Sequence, residues 1–172
     1  MTRSEFSAIF KSHKDAVYGF AYRMTGSPFD AEEISQDCFL ALLGGTAKFD
    51  DGRGSMRCFL IGVTRNLVLK RWRSEGRFDP VEDHETPVDP VDPSSREISE
   101  IVAQAVGALP PLQREVLIMA EYEGFSLKEI AQTVEAEVGT VKARLHRARE
   151  NLRRALAPTA RAEGRKENAT TR

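Results

Sequence analysis

Apolar positions recur at helical spacing along most of the chain. Phe6, Ile9, Phe10, Val17, Phe20, Ala21 and Met24 give a first helix one apolar face. Gly26-Ser27-Pro28 ends it, and Asp30 with Glu33 matches a capping box at the start of a second helix. There Ile34, Cys38, Ala41 and Leu42 face inward, with Glu32, Glu33, Gln36 and Asp37 outside. Gly44 and Gly45 break that helix. After a loop holding Phe49, Asp50, Arg53 and Gly54, Ser55 caps a third helix. Its inward stripe is Met56, Phe59, Leu60, Val63 and Leu67.

The pattern resumes at Ile98, Ile101, Val102, Ala105, Val106 and Leu109, and Pro110-Pro111 stops it. Pro111, at a favoured first position, opens a helix through Leu112, Val116, Leu117 and Ala120 that closes at Gly124. Ser126 and Glu129 form a capping box for a short helix with Ile130, Ala131 and Val134. A tight turn at Glu135-Ala136-Glu137 leads to a last helix, starting near Gly139-Thr140, that buries Val141, Leu145, Ala148, Leu152 and Leu156.

Composition adds little until it is resolved along the chain. The 172 residues hold 25 Lys+Arg and 26 Asp+Glu, a net charge of −1 that by itself points away from nucleic acid. Residues 30–37 hold four acids and no base; residues 65–77 hold five bases and one acid. Residues 79–97 hold seven acids, one base and four of the eight prolines, and residues 138–156 hold six bases and one acid. Proline restriction and like-charge repulsion make 79–97 an extended linker. The expected fold is therefore all-α. Two small helical domains, 1–76 and 98–157, are joined by an extended acidic linker, 77–97, and followed by a frayed polar tail, 158–172. No apolar run approaches the roughly 18 residues of a membrane span, no secretory signal is apparent, and the expected compartment is the cytoplasm. Two cysteines and three histidines make neither a disulfide scaffold nor a zinc set, so no metal or cofactor is expected. Cys38 reads as a small core residue.

Two segments carry nucleic-acid chemistry. The third helix ends with Arg65, Asn66, Lys70, Arg71 and Arg73 around Trp72. Cations interleaved with an aromatic suit melted strands, whose phosphates take the charge and whose bases stack. A basic helix end favoured by the macrodipole, with Trp72 in the core, explains the same residues. In the second domain, two short helices joined by a tight turn form a helix-turn-helix whose last helix carries Lys142, Arg144, His146, Arg147 and Arg149. Such a helix fits a major groove, and Thr140 with the free amides at its start can hold a phosphate. A charged helix on a bundle, helped by an Arg147–Glu150 pair, is the plainer reading.

Residues 6–157 resemble the extracytoplasmic-function, or group 4, members of the bacterial sigma-70 family. DAEEISQDCFLAL is similar to the family's region 2 stretch that docks on the polymerase clamp, and SMRCFLIGVTRNLVLKRWR to the helix that opens the promoter −10 element. ALPPLQREVLIMAEYEGFSLKEIAQTVEAEVGTVKARLHRARENLRRAL resembles region 4. The resemblance implies a promoter-specificity subunit of RNA polymerase with no enzymatic activity of its own. Glu32, Glu33, Gln36, Asp37 and Phe39 would bind the clamp of the β′ subunit, and the second domain would meet the β flap. Phe49, Asp50, Arg53, Phe59, Arg65, Asn66 and Lys70 would capture unstacked bases of the −10 element, and Thr140, Lys142, Arg144, His146, Arg147 and Arg149 would read the −35 element. An anti-sigma factor is a further implied partner. Three positions depart from the family: Phe59 where Trp is usual, Lys70 where Asp is frequent, and Glu135 where the turn has glycine. A non-glycine residue there carries strain if its φ is positive.

Other classes remain open on sequence alone. An autonomous helix-turn-helix regulator needs only residues 98–157, and an adaptor or decoy would dock on polymerase or an anti-sigma factor without reading DNA.

Overall fold

A computed structural model describes residues 1–78, 88–94 and 97–170. Seven α-helices occur among them: α1 (Arg3–Thr25), α2 (Pro28–Leu43), α3 (Met56–Ser74), α4 (Ile98–Ala108), α5 (Pro111–Glu121), α6 (Leu127–Val134) and α7 (Val138–Thr170). A single 3-10 turn, Asp51–Arg53, precedes α3.

Local chemistry explains most boundaries. Thr2 and Glu5 form a capping box at α1, and Gly26 ends that helix at φ 69° with its N–H on the Tyr22 carbonyl. α2 starts earlier than its acidic pattern suggests. Ser27 caps it by accepting from the Asp30 N–H, with Pro28 in the first helical position. Asp30 and Glu33 are thereby released from capping and both bind Arg71 of α3, at 2.7 and 2.6 Å. Ser55 caps α3 as expected, and the Ser126–Glu129 capping box forms.

The turn between α6 and α7 takes the strained geometry its sequence implies. Glu135 sits at φ 56°, ψ 48°, and it alone among the described non-glycine residues has a positive φ. A Cβ in that region costs roughly 1–2 kcal/mol. Part of this is returned by glycine's larger entropy loss, so Glu135→Gly should raise unfolding stability by about 0.5–1 kcal/mol, measurable by urea denaturation.

The two halves do not stand apart on an extended tether. One buried cluster runs through both, joining Phe20, Met24 and Trp72 of the first half to Ile101, Leu109 and Ile118 of the second. The described end of the linker joins it too. Val88 and Val91 are buried, and the Val91 N–H donates to the Ala155 carbonyl of α7 at 3.0 Å. In that same turn Pro158 has no N–H to offer the helix ladder. The rest of the acidic linker lies outside the described residues.

The expected frayed tail is also different. α7 continues to Thr170, with a Glu163–Lys166 pair and the Thr170 hydroxyl on the Lys166 carbonyl. Its alanines, arginines and lysines are strong helix formers, and this propensity outweighs the polar composition that suggested fraying. Among the described residues, no helix is long and apolar enough to cross a membrane.

Candidate nucleic-acid and partner interfaces

Between α1 and α2 runs an open apolar groove. Phe6, Phe10 and Tyr18 line it from α1, and Glu32, Gln36, Phe39, Leu40 and Leu43 from α2. Leu40 is 61% exposed, Leu43 55% and Phe10 41%, an unusual density of large apolar side chains facing water. Of the five residues expected to dock a partner, Glu32, Gln36 and Phe39 are in this groove. Phe39 forms its floor rather than projecting, only 5% exposed and edge-on to Phe10 at 4.9 Å. Glu33 is instead held by Arg71, and Asp37 is exposed outside the lining. Phe10, Leu40 and Leu43 were missed because the helical stripe assigned Phe10 to the core and left the leucines unassigned.

The start of α3 shapes a second site. Asp50 caps the 3-10 turn by accepting from the Gly52 N–H, Phe49 meets Phe59 edge-on at 5.5 Å, and Ser55 caps the helix. Phe49, Asp50, Arg53, Phe59 and Asn66 surround a cavity of about 220 Å³. Five of the seven residues expected to capture unstacked bases are thus brought together. An aromatic pair, a cation and an amide suit a splayed base, which needs a π-face and hydrogen bonds to its edge. Gln132 and Thr133 of α6 wall the same cavity from the other half of the chain.

Arg65 and Lys70 lie elsewhere. Lys70 is exposed further along α3. Arg65 makes a bidentate pair with Glu115 of α5: Nε to Oε2 at 2.7 Å and Nη2 to Oε1 at 3.1 Å. The Glu115 side chain is fully buried, and that burial pushes its carboxyl up while Arg65 and Arg144 draw it back down. Trp72 belongs to the core, 5% exposed, with its indole N–H finding no acceptor among the described residues. It is not a base-stacking platform in this arrangement.

On α7, Lys142, His146 and Arg149 form one exposed stripe at spacings of four and three. Arg149 reaches Glu121 at 2.7 Å, with both side chains half exposed, a pair weak enough for a phosphate to displace. Thr140 and Arg147 are half-buried. Arg144, expected on the outward face, is half-buried, because the helix phase that buries Val141, Leu145 and Ala148 leaves it beside the core, where its charge helps to lower the Glu115 carboxyl. The expected Arg147 partner, Glu150, pairs with Arg153 instead.

Across the two halves, Arg114 donates to the Leu109 carbonyl at 2.8 Å and to the Met24 carbonyl, joining the ends of α4 and α1. Burial lowers its pKa to about 10, with Arg77 adding to the shift, so it remains charged at neutral pH. Helix C-termini carry partial negative charge, which favours that cation. A shallower apolar groove on the second half lies between α5 and α7, with Leu117, Leu152 and Leu156 along it. Cys38 is buried, its thiol pushed up by burial, and Cys58 donates to Glu129 at 3.2 Å. No group of metal-ligating side chains occurs among the described residues.

Comparison with known proteins covers both halves. Residues 9–78 match the family model for Sigma-70 region 2, and residues 99–152 that for Sigma-70, region 4. The ECF RNA polymerase sigma factor SigW of Bacillus subtilis is 32% identical over 168 residues, 88% of each chain. The ECF RNA polymerase sigma factor SigE of Mycolicibacterium smegmatis is 32% identical over 157 residues, which span 87% of this chain and 60% of that protein. The sigma factor RpoE of Bartonella quintana, solved with the anti-sigma factor NepR, superposes with a TM-score of 0.72 at 25% identity. That superposition covers 89% of this chain and 97% of RpoE. CnrH, solved with the cytosolic domain of CnrY, shares the fold with a TM-score of 0.65 at 22% identity.

Proposed function

The chain belongs to the sigma-70 family, in its extracytoplasmic-function branch, and from that premise we propose that it directs core RNA polymerase to specific promoters. The observation that carries this reading is the cavity at the start of α3, where Phe49, Asp50, Arg53, Phe59 and Asn66 converge. In this role the α1–α2 groove receives the β′ clamp, and the α5–α7 groove receives the β flap. The chain supplies recognition, and polymerase supplies the chemistry.

The work divides by the state of the DNA. At the −35 element the duplex is intact, so α7 enters the major groove with Lys142, His146 and Arg149 forward, and the amides at its start hold a phosphate. Arg144 and Arg147 complete the set once their present surroundings loosen. At the −10 element a base must leave the stack, costing a few kcal/mol that the aromatic cavity and its polar rim offset. Arg65 and Lys70 then take the phosphates of the displaced strand. Relatives solved with anti-sigma factors make such an inhibitor a proposed partner of this chain as well.

Run-off transcription with core polymerase and a promoter library tests the reading. Wild type should yield promoter-specific transcripts, and Lys142→Ala with Arg149→Ala should lower them by about 30- to 900-fold with relaxed −35 preference, at about 1–2 kcal/mol for each of the two lost contacts. Polymerase binding without any promoter-specific transcript would leave an adaptor, and not a sigma factor.

A further inference from the structure

α7 is longer than the part of it that matches a known module. The match to Sigma-70, region 4 ends at residue 152, and the helix runs on to Thr170. Residues 153–170 hold five bases and two acids. The extension is anchored at its root. Ala155 is fully buried, Leu156 packs against the core, and the Ala155 carbonyl accepts from the Val91 N–H at 3.0 Å.

Two of the five bases are neutralised within the helix, Arg153 by Glu150 and Lys166 by Glu163. Arg154, Arg161 and Arg165 are exposed, and their side chains form no ion pair among the described residues. With Arg147 they are spaced by seven, seven and four residues, which puts all four on one face of α7. At 1.5 Å per residue that stripe is about 27 Å long. Neither solvation nor the helix dipole accounts for it. The dipole acts within the last turn, past Arg161 and Arg165, and like charges four apart on a helix repel each other mildly.

The stripe lies about a third of a turn around α7 from Lys142, His146 and Arg149. A helix whose reading edge faces the floor of a major groove turns such a flank toward one phosphate wall. Arg161 and Arg165 follow Arg149 by about 18 and 24 Å along the axis, the length of about five and seven base-pair steps. They are thus carried past the bases that α7 would read.

We propose that the α7 extension is a further DNA contact, in which Arg154, Arg161 and Arg165 hold backbone phosphates of the duplex flanking the −35 element. It reads no bases. It adds salt-dependent affinity and fixes how α7 lies in its groove. This proposal rests on the sigma-factor reading, and its test keeps the two separable.

Holoenzyme reconstituted from core polymerase and the full chain, on a promoter recovered from the run-off library, supplies the test. Arg161→Ala with Arg165→Ala keeps helix propensity and touches no residue assigned to bases or to polymerase. The variant holoenzyme should bind the promoter about tenfold more weakly at low salt. Its plot of log affinity against log salt should be shallower by about 1.8, at about 0.9 for each lost phosphate contact. Arg161→Lys with Arg165→Lys should restore both, because a phosphate can be held by a point charge. The loss should be equal on promoters with altered −35 bases, and a loss confined to one sequence overturns the proposal. Unchanged affinity and slope also overturn it, as does a loss that appears in the affinity for core polymerase instead of for DNA. If wild type forms no promoter complex, the sigma-factor reading falls, and the free chain on a plain duplex at low salt decides the extension. There the alanine variant should still bind more weakly and with a shallower slope, and binding equal to wild type overturns the proposal.

Discussion

Replacing Leu40 by aspartate weakens the chain's affinity for core polymerase by about 100-fold and leaves its melting temperature nearly unchanged. Leu40 is 61% exposed, so the free fold gains little from its side chain. When a partner covers the α1–α2 groove, a buried leucine contributes about 1.5–3 kcal/mol, and the aspartate adds the cost of a desolvated charge. Taken near 3 kcal/mol, the combined loss is roughly two orders of magnitude in dissociation constant. Leu43→Asp, on the same lip, should behave alike. Glu33→Ala makes the contrast. Its carboxylate is committed to Arg71, so its loss should perturb the α2–α3 packing slightly and polymerase affinity by less than about threefold. Titration of core polymerase against labelled chain decides the matter: full affinity in Leu40→Asp would remove the groove from the docking surface.

The contrast between Leu40 and Glu33 shows where sequence reasoning reaches and where it stops. Features that depend on three or four consecutive residues were legible: the Ser126–Glu129 box, the Ser55 cap and the Pro111 start. The start of α2 was misplaced because two local signals competed, and Ser27 followed by Pro28 outweighed Asp30 with Glu33. Long-range partners left no local trace. Nothing near Glu33 announces Arg71, 38 positions away, and nothing near Arg65 announces Glu115, 50 positions away. Trp72 was undecided between core and stacking platform because a helical stripe does not say what packs on its second face. One signal was available: Glu115 stands next to Val116, Leu117 and Ile118 with no polar neighbour on its C-terminal side, and a carboxylate there requires a buried cation. Charge blocks, by contrast, were informative at long range. The near-zero net charge conceals a basic α3 end and a basic α7, and acids of the second half lie against arginines: Glu115 and Glu123 engage Arg65 and Arg57 of α3, and Glu121 engages Arg149 of α7.

Arg65→Ala should lower both stability and transcription, and only one of the two should be recoverable. The alanine strands Glu115 in a site with no solvent access, and removing one partner of a buried pair costs about 3–5 kcal/mol. The charge of Arg144 still acts on the carboxylate, and local loosening can rehydrate it, so a loss of about 2–3 kcal/mol in urea unfolding is expected here. Adding Glu115→Leu removes the stranded charge and fills the space with an apolar side chain of similar length. Replacing both members of a buried pair is commonly near neutral, so the double variant should recover most of the lost stability, giving a coupling of about 2 kcal/mol in a double-mutant cycle. Transcription should not recover with it. If Arg65 contacts the displaced −10 strand, its absence costs about 1–3 kcal/mol of promoter affinity whether or not the fold is sound, and run-off yield from the stable double variant should stay about 5- to 100-fold below wild type. A double variant that regains both would reduce Arg65 to a structural cation between α3 and α5.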